Sequence, residues 1–153
     1  MAAAPNGHVL QSWEWGQFKA GYGWTPIRLL FSRGDKPLAA ASVLERQVGP
    51  LSVCYVPKGP ALDFGDRELA RFVLRGVAQV ARRQRAIYAK IDPDIPHDDR
   101  RAIAAVEGAG FGRAGHIQLK DTALLDISGS EDNILARMKP KTRYNLRLAE
   151  AAG

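Results

Sequence analysis

Five cations, Arg137, Lys139, Lys141, Arg143 and Arg147, fall within eleven residues, with no acidic side chain between Asp132 and Glu150. Cations at this density suit a polyanionic partner: phosphate, nucleic acid or a phospholipid surface touched peripherally. Their setting, "KPKTRYNLRLA" (139–149), sharpens the point. Pro140 fits the first turn of a helix, where a missing N–H costs nothing. Lys139, Lys141 and Arg143 would then crowd a helix N-terminus, whose dipole opposes cations by about 0.3–1 kcal/mol each. The unpaired N–H groups there already attract an anion, and Arg147 extends the same face one turn on. Local rules broken in this way tend to mark function. A solvated basic face accounts equally well for the charge taken alone.

Two other cations are placed for chemistry. Lys19 closes the aromatic stretch "WEWGQFK". Lys58 lies in "YVPKGPALD", a proline-flanked turn after a strand, where the backbone is stiff and a ligand can approach Gly59 closely. The same turn also reads as a plain strand terminator. Conventional catalytic sets are missing. His8, His97 and His116 lack metal-ligand spacing, and no P-loop, G-x-S-x-G or G-x-G-x-x-G occurs. Cys54 sits in an apolar strand with no cation near in sequence to lower its pKa, which predicts buried packing. Neither a metal nor a cofactor is expected.

These side chains need a scaffold. "SWEWGQFKAGYG" predicts a short helix with Ser12 as N-cap, stopped in the Gly21–Gly23 region, with Trp15 and Phe18 on one face. "WTPIRLLFS" and "PLAAASVLERQV" read as strands about the turn "RGDKP", and "LSVCYVP" as a third strand closed by "KGP". Their imperfect alternation suits a sheet covered on both sides. "DRELARFVLRGVAQVARRQ" is the clearest helix, with Leu69, Phe72, Val73, Val77 and Val80 at three-to-four spacing; Phe72, Val73 and Val77 are expected to pack it on the sheet. "AIYAKIDP" follows as a strand, "DDRRAIAAVEGAGF" as a helix, "DTALLDI" as a strand and "SEDNILARM" as a helix opened by Ser130. That order predicts an α/β (α+β) layered domain, not a doubly wound nucleotide-binding sheet.

At 153 residues the chain suits one domain with a real core. Its 25% charged residues are ordinary for a globular protein, so the net charge of +6 owes its interest to where it is concentrated. No apolar run approaches the roughly 20 residues that span a bilayer. "MAAAPNGHVLQ" lacks the basic and apolar regions of a signal peptide, and one cysteine excludes an internal disulfide. The cytoplasm is the expected compartment.

"LQSWEWGQFK", "YVPKGPALD" and "GFGRAGHIQLKDTALLDISGSEDNILARMKPKTRYNLRLAEAAG" together resemble the Fem-type aminoacyltransferases, which build peptidoglycan interpeptide bridges; "MKPKTRYNLRLA" is the most specific block. The resemblance implies a single acetyltransferase-like (GNAT) domain here, a mixed sheet flanked by helices. It implies transfer of an amino acid from aminoacyl-tRNA to the peptide of a peptidoglycan precursor, a nucleotide- or lipid-linked muropeptide. It assigns the precursor to Lys19, which shares a cleft with Lys58 and Gly59, and phosphate contacts to Lys139, Lys141, Arg143, Tyr144 and Arg147. Family members are about twice this length. Residues 1–138 are therefore expected to be the first of two such domains, and 139–153 the start of a basic helix leading to a second domain missing from this chain.

Two alternatives share parts of this pattern. An acetyl-CoA-dependent N-acetyltransferase would need a glycine-rich pyrophosphate loop opening the helix after the meander, where this chain has "GPALDFGDRE". A non-catalytic nucleic-acid-binding module would use the basic segment alone.

Overall fold

The structure, a computed structural model, describes residues 7–115, 117–118 and 126–152. They form two compact units, Met1–Gln118 and Leu119–Gly153. The first opens with a 3-10 turn, Val9–Gln11, and continues through α1 (Trp13–Ala20), β1 (Thr25–Arg33), β2 (Lys36–Val48), β3 (Leu51–Pro57), α2 (Arg67–Arg83), β4 (Ala86–Asp92) and α3 (Arg100–Gly108). The second holds α4 (Glu131–Arg137) and α5 (Pro140–Ala152). Of the expected strand at 121–127, residues 121–125 lie outside the described residues, as does His116.

The sheet runs β1-β2-β3-β4. Its first three strands form the expected antiparallel meander, and β4 pairs parallel to β3 after α2 has crossed over. Gly34, at φ 58°, supplies the left-handed residue the first hairpin needs. The α/β mixed sheet flanked by helices agrees with the expected fold class.

Side chains alternate across the sheet. Ala41 and Val43 of β2, with Cys54 and Val56 of β3, pack against Val77 and Ala81 of α2. Ala70 and Val73 join Ala39, Leu62, Phe64 and the α3 residues Ala102 and Ala105 in the adjoining core. Ser42 and Leu44 point the other way, toward the 3-10 turn and α1.

The α2 stripe differs from the expected one. Ala70, Val73, Leu74, Val77 and Ala81 are buried, whereas Phe72 is 62% exposed. Small residues bring the helix close to the sheet, and Gly76 opens a notch for a ring: a Cβ there would stand 2.8 Å from Phe31 Cε1. Phe31 thus takes the buried place predicted for Phe72, and Phe72 meets its edge at a 5.7 Å centroid separation.

Candidate functional site

The face away from α2 carries a cleft of about 210 Å³. Leu44, Val53, Tyr55, Tyr88 and Lys90 supply its sheet side, Trp15, Lys19 and Trp24 its α1 side, and Ile117 and Gln118 a further wall. Register assembles the sheet side, since Leu44 pairs with Tyr55, and Tyr55 with Lys90.

Lys19 is held by aromatic rings. The Ser12 side chain caps α1 by accepting from Trp15 N at 3.1 Å. One turn after Trp15, the Lys19 ammonium sits 5.9 Å from the Trp15 ring centroid and 5.7 Å from that of Trp24. Arg28 clamps the helix from β1: its guanidinium lies 3.5 Å over the Trp13 ring and donates to Trp13 O at 3.3 Å. Gly16 makes this approach feasible, because a Cβ there would stand 3.0 Å from Arg28 Nη2.

Across the cleft the Tyr55 hydroxyl donates to Asp92 Oδ2 at 3.3 Å and accepts from Gln118 Nε2 at 3.2 Å. Burial pushes the phenol up to about 12, so it stays a neutral donor and acceptor at neutral pH. Lys90 donates to Gly115 O, fixing the segment that forms the far wall. Burial, reinforced by the Glu45 carboxylate, pushes the Cys54 thiol up to about 11; the residue packs in the core as expected. Among the described residues no His, Cys, Asp and Glu side chains gather as metal ligands would.

Lys58 and Gly59 stand apart from this arrangement. Pro57 lines the cleft, but Lys58, at φ 46°, carries its ammonium to Asp94 Oδ1 at 3.3 Å. The structure does not bring Lys58 together with Lys19. Gly59 is approached closely, though by the protein itself: a Cβ would fall 2.4 Å from Gln11 Cδ. Gln11, 1% exposed, bridges β2 and β3 where their pairing lapses. Its Nε2 donates to Pro57 O at 2.6 Å and Ser42 O at 3.3 Å, and its Oε1 accepts from Ser42 N at 2.8 Å.

In the second unit, α5 begins at Pro140 as expected, one residue after Lys139. Lys139, Lys141, Tyr144 and Arg147 are exposed or half-exposed and make no carboxylate ion pair among the described residues. Arg143 is occupied. Its Nη1 donates to the α4 carbonyls of Leu135, Ala136 and Met138 at 3.4, 3.1 and 2.6 Å, capping that helix. Arg137 is paired with Asp126 at 3.0 Å; this ion pair and two hydrogen bonds from Ser128 hold the Asp126 carboxyl at about 2. The cations at the start of α5 also stand at the C-terminal end of α4, where a dipole favours them. The supposed electrostatic cost of loading this position is therefore offset within the chain.

The chain matches the FemAB family over residues 1–106. It belongs to that family. It is 28% identical over 160 residues to the Lipid II:glycine glycyltransferase of Staphylococcus aureus, an alignment covering 97% of this chain and 38% of that protein. The crystal structure of FemX superposes with a TM-score of 0.76 at 26% identity, covering 99% of this chain and 40% of FemX. The chain thus spans about 38% of the length of the curated relatives it matches. Family membership gives the α1 cleft its context. The acetyl-CoA alternative loses ground at α2, whose N-terminus is filled by the chain's own acid: Asp66 accepts from Leu69 N at 3.0 Å, and Glu68 stands in the first turn. A pyrophosphate would meet carboxylates there. No described helix is long and apolar enough to cross a membrane.

The sequence singled out Lys19 but missed Trp24, Tyr55, Tyr88, Lys90 and Gln118. Aromatic enrichment marked Trp24 and Tyr55 only as strand-forming residues; register, which brings them to one cleft, has no local signal.

Proposed function

We propose that this chain is the precursor-binding part of an aminoacyltransferase that moves an amino acid from aminoacyl-tRNA to the peptide of a lipid- or nucleotide-linked muropeptide. The observation that carries the reading is the Lys19 ammonium set between Trp15 and Trp24 at a cleft, in a chain of the FemAB family. The relatives named for glycine transfer to lipid II support the substrate class.

The chemistry asks little of the protein in bond-making groups. The aminoacyl ester is already activated. The acceptor amine attacks its carbonyl, a C–N bond forms as the C–O bond to the tRNA ribose breaks, and the released ribose oxygen takes the proton that the amine gives up. Alignment of the reactants supplies roughly 7–11 kcal/mol of such a barrier, and donors aimed at the developing oxyanion supply more. Lys19 holds the phosphate end of the precursor. Lys139, Lys141 and Arg147, with Tyr144 among them, meet phosphates of tRNA or of the precursor, and Arg143 braces the helix that presents them. Aminoacyl-tRNA as donor places the reaction in the cytoplasm.

Calorimetric titration of the chain with a UDP-linked muropeptide, and with lipid II in detergent, tests the reading. Lys19→Gln is expected to weaken binding about tenfold with the melting temperature unchanged. Binding that is absent in the unsubstituted chain, or that ignores the substitution, overturns it. Transfer from a mixture of aminoacyl-tRNAs to whichever precursor binds tests the reaction itself.

A further inference from the structure

Trp24 precedes β1 and gathers two cations. The Lys19 ammonium stands 5.7 Å from its ring centroid, and the Arg46 guanidinium 5.6 Å from the same centroid. Arg46 comes from β2, where it pairs with Val53, a residue of the cleft lining. It therefore rises at the cleft's rim from the sheet side, as Lys19 does from the helix side. Neither cation has a carboxylate within 4.0 Å among the described residues. Two unneutralised cations on one indole repel each other and are stable together chiefly when an anion bridges them.

The two side chains are also chemically distinct. Arg offers a planar fork that takes two oxygens of one phosphate, while Lys is a compact point charge. A single phosphate can be satisfied by one of them. Two adjacent phosphates, carrying about three negative charges, match the pair.

We propose that Lys19 and Arg46, gathered on the Trp24 ring, form a two-cation clamp for a diphosphate ester, with Arg46 setting the preference for a diphosphate over a monophosphate. This deepens the precursor reading above and rests on it for the ligand's identity. Diphosphate esters occur both in nucleotide-linked and in polyprenyl-linked precursors, and the clamp recognises what they share.

The test is titration of the chain with four probes: UDP, UMP, farnesyl diphosphate and farnesyl monophosphate. The chain should bind at least one diphosphate about fivefold or more tightly than its monophosphate, as expected for one added rim ion pair. Arg46→Gln should abolish that ratio, Arg46→Lys should restore part of it, and Arg71→Gln on α2, at the opposite face of the sheet, should leave it intact. Whichever diphosphate binds more tightly identifies the source. Equal affinity for diphosphate and monophosphate, or a ratio that survives Arg46→Gln, overturns the clamp. A chain that keeps the diphosphate ratio but transfers no amino acid supports the clamp and condemns only the aminoacyltransferase reading. Muropeptide binding without any diphosphate preference condemns the clamp alone.

Discussion

Gln11 and Gly59 offer a direct measure of what the turn after β3 is for. Gln11→Ala would strip buried partners from Ser42 N, Ser42 O and Pro57 O. Each buried group left unmade costs about 1–3 kcal/mol. Carbonyls tolerate the loss better than the N–H, so the expected total is about 3–4 kcal/mol. For a chain of this size that lowers the melting temperature by roughly 6–16 °C. Gly59→Ala would push a methyl group to within 2.4 Å of Gln11 Cδ, and such overpacking costs about 1–3 kcal/mol. In the double variant the new methyl enters space that Gln11 has vacated. Its cost should fall to nearly zero, giving a favourable coupling of about 1–3 kcal/mol. Urea unfolding followed by tryptophan fluorescence measures all four corners of the cycle. Additive effects, or a Gly59→Ala variant as stable as the parent, would refute the seat for Gln11 and return Gly59 to the role of a ligand-approach point.

Other expectations follow from packing and charge. Leu74→Ala, at a fully buried position, should cost about 2–5 kcal/mol, whereas Phe72→Ala should cost no more than about 1.5 kcal/mol, the value of its edge contact with Phe31; equal losses in urea unfolding would mean the α2 stripe is misplaced. The folded chain keeps protons on Cys54 up to about 11 and on Tyr55 up to about 12, which the unfolded chain releases near their ordinary 9.0 and 10.0. Stability should therefore be intact below pH 9 and fall as pH rises from 9 to 12, and Cys54 should resist thiol reagents until the chain unfolds; a thiol that titrates normally in the native protein would contradict this. Changing Lys139, Lys141 and Arg147 together to Gln should remove roughly 2–3 units from the slope of log affinity against log salt for RNA without loss of helicity. Arg143→Gln should instead lower the helical circular dichroism signal, and a triple variant that melts while keeping its salt slope would reverse these roles.

Much of the scaffold was legible because its signals are local. Ser12 and Ser130 cap the helices they precede, Asp66 opens α2, and the apolar runs of β1, β2 and β3 end at the expected turns. The buried face of α2 was harder, because hydrophobicity weights Phe72 above Ala70 and Ala81. What decides the face is how near the helix can come, and that depends on small residues and on Phe31 from another strand. The cleft was least legible. Lys19 and Trp15 share a helix and were visible together, but Trp24, Arg46, Tyr55 and Lys90 lie on four different segments joined only by sheet register. Gln11 carries no signal at all in the sequence, since a lone glutamine in an exposed-looking stretch gives no hint of three buried hydrogen bonds.

The basic segment shows how a local argument can mislead. Counted on α5 alone, Lys139, Lys141 and Arg143 oppose the dipole and seem to require an external anion. But α4 ends at Arg137 and α5 begins at Pro140, so the same charges lie beside α4's unpaired carbonyls. Each dipole is worth about 0.3–1 kcal/mol per charge, with opposite signs, and the two nearly cancel. Arg143 then tips the balance toward folding by donating to three of those carbonyls. An anion is not needed to keep the segment folded. The case for phosphate there rests on Lys139, Lys141 and Arg147, which have no carboxylate partner among the described residues and contribute little to holding α4 and α5 together. Cations that do not stabilise the fold are free to be selected for a ligand, and the α1 cleft repeats that logic with Lys19 and Arg46.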